Sequence, residues 1–558
     1  MTNSLLVNYV GYPLVISNLM PDDGLASLAA CLKEAGHETK IFDYSTVDTI
    51  ERLFPHKYKD KLEEIMGGIT KNLENNLTPS TSLMNCFYDL DQKILEFHKE
   101  KTKEIASEIN NYIKNNDIDF VGFKLFLGEG FFGSINIANE LKKQNPKLKI
   151  FGGGPQVDWF KGLIYNVQNS DVFDALAQGE GEETVVQLAE HVKRERKLED
   201  INNLIYKKNG NILVTDIKRI KDLNNLPFPM YDVETYPAMK GDNKIKIILL
   251  DESRGCPNSC NFCIHPLKSG NQWRTKKPER IVNEIEEISS KYNTTVFRFA
   301  GSNTPPSLHK NVAREIIKRK LNVTYSGFGH SGNAYIENFE LLKKSGCYAL
   351  LFGLESGSQY ILENSINKRS CGKPLKLSEV EESVNLCKKN GIYAVTSLIF
   401  PAPLETEQTK KEGLEFVIKL KPDSAVISLP GVVLGTEWEK NHEKYNIELP
   451  RPESLGVDLM SHKPKFTYPP ILWDPIPYKI NGKEFKEYMR ESNEFALELE
   501  KSGILMHMTD EMIVMAKYSG MPVKDFRDKS RHYLSLGDYT NLRSLINTIN
   551  SNISFHSK

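Results

Sequence analysis

S-R-G-C-P-N-S-C-N-F-C-I-H-P, residues 253–266, places Cys256, Cys260 and Cys263 within eight positions of one loop. Thiolates are soft ligands that suit iron–sulfur clusters and zinc. At C-x3-C-x2-C, three of them can hold three corners of an iron–sulfur cubane and leave the fourth iron open to a ligand. Phe262, just before the third cysteine, offers an apolar face to shield such a cluster or stack on a nearby ring. Two other readings compete. His265 could complete a Cys3His zinc site, although zinc modules usually split their ligands into two separated pairs and no second pair is found. Three unconnected buried thiols would require coincidence on a loop containing Gly255 and Pro257. The remaining cysteines lack this arrangement and read as core or incidental: Cys31 and Cys387 on helices, Cys347 near a helix end, Cys86 and Cys371 in irregular stretches.

Outward from the loop the chain alternates strands and helices. KIKIILLDES (244–253) is a strand feeding the cysteines, and PERIVNEIEEISSKY (278–292) is a helix. Strands follow at 295–303, 322–329, 348–357, 393–401 and 424–431, separated by helical patterns. Six strand–helix units predict an open partial (β/α)6 barrel over 241–440, with functional loops at the strand carboxyl ends. Residues 1–195 carry a second alternation, with strands at 4–10, 37–44, 119–126, 148–156 and within 171–193. The fold class is therefore α/β, with an N-terminal Rossmann-like, doubly wound parallel sheet preceding the barrel. A charged helical insertion occupies 45–115. Glycines crowd the loops of this first sheet: Gly24, Gly128, Gly130, Gly152, Gly153, Gly154, Gly179 and Gly181. Singly these read as ordinary turns; as a set they suit close backbone approach to a large ligand. Residues 196–240, with LPFPMYD at 226–232, read as a linker. Residues 441–558 form a mainly helical C-terminal region, entered through a proline- and aromatic-rich loop at 465–478 that reads as a lid or as exposed filler.

Composition adds exclusions. The 558 residues carry a formal net charge of −1, so no general electrostatic case exists for nucleic acid. No apolar run of about 18 residues predicts a membrane span. The start, MTNSLLVNYVGYP, lacks a basic segment followed by a long apolar one, so the expectation is a cytoplasmic protein with reduced thiols.

With the C-x3-C-x2-C loop after the first strand of a six-unit partial barrel, and an aromatic before the third cysteine, the chain resembles the radical S-adenosylmethionine superfamily. The resemblance implies a 4Fe-4S cluster on Cys256, Cys260 and Cys263. The amino and carboxylate groups of S-adenosylmethionine would chelate the open iron, and the cofactor would be cleaved to methionine and a 5′-deoxyadenosyl radical. AGSN (300–303) stands where the family binds the methionine amino group, departing from the usual glycine-glycine-glutamate; Gly301, Ser302 and Asn303 are its candidates. FGLESGS (352–358) resembles the fourth-strand segment, with Glu355 and Ser356 facing the cofactor. LIFPAPLET (398–406) resembles the fifth-strand segment without its glycines, and VVLGTEWEK (432–440) the segment after strand six.

Pro21 and Gly24, then AGHETKIFDY, VGFKLF, FGGGPQV, AQGEGEET and the linker LPFPMYD follow the order of the subgroup with an N-terminal cobalamin-binding domain. No D-x-H-x-x-G appears, so the resemblance implies cobalamin bound without an imidazole ligand, with SNLMPDD (17–23) near its lower face. The implied activity is methylation of an unactivated carbon or a phosphinate phosphorus through methylcobalamin. A non-methylating radical enzyme (cyclisation, ring contraction or lipid modification) and a zinc-bound or scaffold protein are the alternatives. A methylthiotransferase is disfavoured, since the N-terminal half has no second three-cysteine set. The expected partners are a small-molecule, lipid or peptide substrate and an electron donor such as flavodoxin or ferredoxin.

Overall fold

The computed structural model describes residues 1–13, 15–74, 77–301, 303–332, 338–370, 372–462 and 468–554. Ser302, Cys371 and part of the 465–478 loop lie outside the described residues. Two seven-stranded sheets organise the chain.

The first sheet contains β1 (Asn3–Asn8), β2 (Glu38–Asp43), β3 (Phe120–Lys124), β4 (Lys149–Gly153), β5 (Ala175–Ala177), β6 (Leu204–Lys208) and β7 (Asn211–Val214), in the order β2-β1-β3-β4-β5-β6-β7. The five strands β1–β5 are parallel and doubly wound, with the switch point between β1 and β3. A ligand crevice therefore opens at the carboxyl ends of Asn8 and Lys124. Helix α1 (Asp23–Glu34) enters this crevice. Its N-cap Asp22 accepts the Leu25 N–H at 2.9 Å, and Leu25, Ala26, Ala29 and Leu32 give it a buried face. Helix α2 (Glu129–Gln144) follows β3, and α3 (Glu182–Val192) follows β5.

The strands within 1–195 form the expected parallel sheet, and the stretch read as a linker extends it with the hairpin β6–β7, which pairs antiparallel onto β5. Its turn is Asn209-Gly210, both at positive φ (53° and 79°), the conformation that a tight two-residue hairpin requires.

The second sheet contains β8 (Ile248–Leu250), β11 (Val296–Phe299), β12 (Thr324–Gly329), β13 (Cys347–Glu355), β14 (Tyr393–Ile399), β15 (Ser424–Ser428) and β16 (Leu505–Met506), joined in the order β16-β15-β14-β13-β12-β11-β8. The short hairpin β9 (Ser253–Arg254) and β10 (Arg274–Thr275) frames the cysteine loop. All pairs within the sheet are parallel. Six strands match the expected units; the seventh, β16, comes from the C-terminal region and pairs with the start of β15. Helix α4 (Pro278–Tyr292) buries Ile281, Val282, Ile285 and Ile288 against the outer face, each worth roughly 2 kcal/mol of apolar burial. Helix α5 (Pro306–Lys318) packs beside it. Helix α6 (Asp510–Ser519) lies on the opposite, concave face. Its Met512, Ile513, Met515 and Ala516 cluster with Ile247, Val296, Ala349 and Val395. The C-terminal region thus plugs the half-barrel.

A single apolar cluster runs from Leu6, Phe120 and Phe151 through Tyr231, Tyr236 and Met239 to Ile248 and Phe297, joining the two sheets. Tyr236 OH donates to Asp43 and accepts the Asp22 N–H at 2.9 Å. Lys244 Nζ pairs with Asp43 Oδ2 at 2.6 Å with both side chains buried. The inserted helices Lys59–Glu74 and Thr81–Asn115 form their own cluster, closed by Leu472 from the proline-rich loop. That loop is not exposed filler where it is described: Leu472 and Tyr478 are buried, and Tyr478 OH donates to Pro430 O at 2.7 Å. Among the described residues no helix is long and apolar enough to cross a membrane.

Candidate active site

The cysteine loop turns on Gly255. A Cβ there would stand 2.1 Å from Gln272 O, so only glycine lets the loop close against the opposite arm of its hairpin. The Cys256 N–H donates to Gly270 O at 3.1 Å, and the Cys263 N–H to Cys260 O at 3.1 Å. Each sulfur has a donor beside it. Asn303 Nδ2 donates to Cys256 Sγ at 3.3 Å. The backbone N–H of Arg369 serves Cys260, and that of His265 serves Cys263. Burial pushes the Cys260 thiol up and the Cys263 thiol to about 12, while Lys368 opposes the rise at both. These donors and this lysine fit thiolates that carry their charge in metal bonds. Among the described residues no three His, Cys, Asp or Glu side chains gather as around a single ion. A cubane asks for something different, one thiolate at each of three iron corners. His265, with its imidazole pushed below the usual range by burial, opens the helical turn His265–Ser269. Phe262 packs against Trp438, with the rings tilted at 45° and their centroids 5.7 Å apart.

Around the loop stand the carboxyl ends of the second sheet. Glu252, buried between β8 and β9, accepts the N–H groups of Ala300 and Gly301, both at 3.1 Å, and the Thr304 hydroxyl. This fixes the 300–304 loop and brings Asn303 to the sulfur; the Asn303 carbonyl is held by Trp273 Nε1 at 2.6 Å. Glu355, at the end of β13, adopts a left-handed φ of 65°, a conformation costing of order 1 kcal/mol for a residue with a side chain. Its Oε1 receives Lys368 Nζ at 2.7 Å and its Oε2 receives Ser397 Oγ at 3.1 Å. Ser356 is buried, and its hydroxyl accepts the Ser358 N–H at 3.2 Å. A carboxylate and an ammonium thus stand within electrostatic reach of Cys260, with the Ser397 hydroxyl on the carboxylate. Such a set can hold the polar groups of an amino-acid ligand.

Facing this array, a cavity of about 380 Å³ opens at the switch point of the first sheet. Gly24, Gly152, Gly153, Gly154, Gly179 and Gly181 line it. Its lining is apolar in part, with Leu6, Phe120 and Phe151 on the strands and Leu28 and Leu188 on α1 and α3, and polar in part, with Asp22, Lys124, Glu180, Arg254 and Lys268. Such a lining suits a ligand with both apolar and polar surface. The glycines serve different ends. A Cβ on Gly153 would meet nothing closer than Ala177 O at 3.6 Å, so its absence leaves space. A Cβ on Gly152 would strike Leu125 and Leu176 at 2.8 Å, so that glycine answers to packing on the other face. Gly128 is not among the lining residues; with φ 60° it caps the start of α2. Pro21 lines a smaller neighbouring cavity instead.

An ionic bridge joins this cavity to the cysteine hairpin. Arg274 donates Nη1 to Glu180 Oε2 at 2.9 Å and also contacts Glu180 Oε1. Arg254 pairs with Asp251, Nε to Oδ2 at 2.9 Å, and with Glu182. Arg254, Arg274, Glu252 and Lys368 belong to no motif that singled them out in sequence. Only Arg254, inside the cysteine motif itself, lay next to a usable signal.

Three comparisons bear on this geometry. Residues 253–417 match the model of the Radical SAM superfamily. An uncharacterized methyltransferase from Pyrococcus horikoshii is 28% identical over 339 residues, covering 60% of this chain and 71% of the relative. The anaerobic magnesium-protoporphyrin IX monomethyl ester cyclase of Rubrivivax gelatinosus is 26% identical, covering 51% of each chain. Among solved structures, the radical S-adenosylmethionine methyltransferase TsrM from Kitasatospora setae, with cobalamin and a [4Fe-4S] cluster bound, aligns with a TM-score of 0.61 at 14% identity. That alignment covers 98% of this chain and 100% of TsrM. The cobalamin-dependent S-adenosylmethionine radical enzyme OxsB aligns with a TM-score of 0.62 at 14% identity, covering 96% of this chain and 72% of OxsB.

Proposed function

We propose that this member of the radical S-adenosylmethionine superfamily is a cobalamin-dependent methyltransferase acting on an unactivated carbon. The observation that carries the reading is the juxtaposition of two sites. The glycine-lined cavity at the switch point of the first sheet faces the hairpin bearing Cys256, Cys260 and Cys263, and Arg254 and Arg274 span the gap. In this reading residues 1–195, with the β6–β7 hairpin on their sheet, bind cobalamin, the rest of 196–240 links, 241–440 form the radical half-barrel and 441–558 close it.

When bound, the cluster supplies an electron and an open iron, S-adenosylmethionine the hydrogen-abstracting fragment, and cobalamin the methyl carrier. The chain's own residues hold and orient. Cys256, Cys260 and Cys263 would ligate the cluster, and Asn303 stabilises the first of these sulfurs by donating to it. Glu252 keeps Gly301 and Asn303 in place. Lys368 and Ser397 orient Glu355, whose carboxylate would receive an ammonium or hydroxyl of S-adenosylmethionine. The α6 plug and the buried loop around Tyr478 exclude water from the half-barrel, which protects reactive species.

A small-molecule, lipid or peptide substrate and a flavodoxin- or ferredoxin-like electron donor complete the proposal. The test is anaerobic reconstitution with cobalamin followed by mass analysis of the product, which should be heavier by one methylene group. The similarity to a cyclase sustains a second reading, a non-methylating radical reaction on the same scaffold. A product that lost hydrogen and gained no carbon would select it.

A further inference from the structure

Between Cys260 and Cys263 stands Asn261, an amide only 7% exposed in a loop whose chemistry belongs to sulfur. Its polar groups reach two separate segments of the half-barrel. The backbone N–H donates to Ile366 O at 2.9 Å, and the backbone carbonyl accepts the Trp438 N–H at 3.1 Å. The side-chain Nδ2 donates to Ser365 O at 2.8 Å and to Tyr445 OH at 3.1 Å. Trp438 closes the set, its Nε1 donating to the same Ser365 O at 2.9 Å.

The acceptors account for the residue type. Ser365 and Ile366, both buried, end a π-helical turn, Leu362–Ile366, that follows β13. The last carbonyls of a helical turn have no partner within it, and burying them unbonded is costly. Asn261 supplies donors to both from outside the turn. Reaching Ser365 and Tyr445 together takes a nitrogen with two N–H groups, which an amide provides. The turn then runs into residues that serve the cofactor site. Asn367 takes a left-handed φ of 52°, and its Nδ2 donates to Ser259 O at 3.2 Å. Lys368 holds Glu355 Oε1 at 2.7 Å, and the Arg369 N–H serves Cys260. Residues 365–369 thus bind the cysteine loop at Ser259, Cys260 and Asn261 and the Glu355 carboxylate at once.

We propose that Asn261 is a positioning residue. It locks the Cys260–Cys263 turn to the 365–369 segment, and so keeps the iron site in register with the Lys368–Glu355 pair. The proposal rests on the radical-enzyme reading for the identity of the metal; the lock itself belongs to the chain without metal.

Two measurements on the full-length protein separate the lock from general stability. In iron-free protein, labelling by iodoacetamide, mapped by peptide mass, reads each thiol by itself. Asn261→Ala should speed labelling of Cys260 and Cys263 by about tenfold and leave the buried Cys347 and Cys387 as slow as in the wild type. Asn261→Asp keeps the shape but sets an acceptor against Ser365 O, and should match it. Tyr445→Phe lies outside the loop and removes one of the two acceptors of the amide; a rise of about threefold is expected. In anaerobically reconstituted protein, Asn261→Ala should broaden the electron paramagnetic resonance signal of the reduced cluster, because its ligands lose a fixed direction. Faster labelling of Cys347 and Cys387 alongside the loop thiols would reduce Asn261 to a contributor to folding and overturn the assignment. Wild-type labelling rates in both Asn261 variants would also overturn it, as would an unchanged resonance in iron-loaded Asn261→Ala. Labelling as predicted in a protein that takes up no iron would sink the radical reading and uphold the lock.

Discussion

The two sheets of this chain prepare their ligand loops by opposite means. The first sheet works by omission. Its loops carry glycine: Gly153, Gly154, Gly179 and Gly181 line the cavity with backbone alone. The second sheet works by donation. Its loops carry Cys256, Cys260, Cys263, Asn303 and Glu355, each with a partner that fixes its direction. The contrast follows from what each would hold. A bulky, mostly neutral macrocycle needs room and backbone contact, whereas a metal cluster and a zwitterionic cofactor need charges at set positions.

The largest effect should come from removing a donated ligand. Cys260→Ala should abolish iron loading and S-adenosylmethionine cleavage, read by metal analysis and by 5′-deoxyadenosine formation. Filling an omitted volume comes next. Gly153→Leu places a side chain where the nearest atoms to a Cβ are 3.6 and 3.7 Å away. It should cut cobalamin binding by about tenfold or more, in line with displacing part of a large apolar contact, and leave iron content unchanged. Equal loss of both cofactors would break the division of labour between the sheets. A smaller change should follow Glu355→Gln, which weakens S-adenosylmethionine binding about tenfold while the cluster remains; loss of iron instead would move Glu355 from cofactor binding to cluster support. The smallest effect concerns the bridge between the sheets. Arg274→Ala leaves the buried Glu180 with only the Ile220 N–H at 2.7 Å and Arg254 Nη1 at 3.6 Å, and should lower unfolding stability by about 1 kcal/mol, seen as a lower denaturation midpoint.

Donated features were easier to read in sequence than omitted ones. The cysteine spacing, the FGLESGS segment and the alternation of strands and helices all follow from local patterns of residue type. The glycines of the first sheet were visible as a set, but sequence could not tell Gly153, which leaves space, from Gly152, which makes room for Leu125 and Leu176. Nor could it show that Gly128 serves a helix cap. The hairpin β6–β7 had a signal, Asn209-Gly210 between LIYKK and NILV, that reading the region as a linker passed over. Strand β16 had none, because two residues show no periodicity and its pairing depends on the fold around it. Lys368 and Glu252 were equally silent. Their roles arise from burial beside residues 108 and 52 positions away, Lys368 at Cys260 and Glu252 at Thr304.

Iron and sulfide analysis of anaerobically purified protein, wild type beside Cys260→Ala, tests the account most directly. The account predicts a brown wild-type protein with on the order of four irons per chain, and a variant from which they are lost. A colourless wild-type protein holding one zinc ion, or a Cys260→Ala variant that keeps its full iron and still cleaves S-adenosylmethionine, would contradict it.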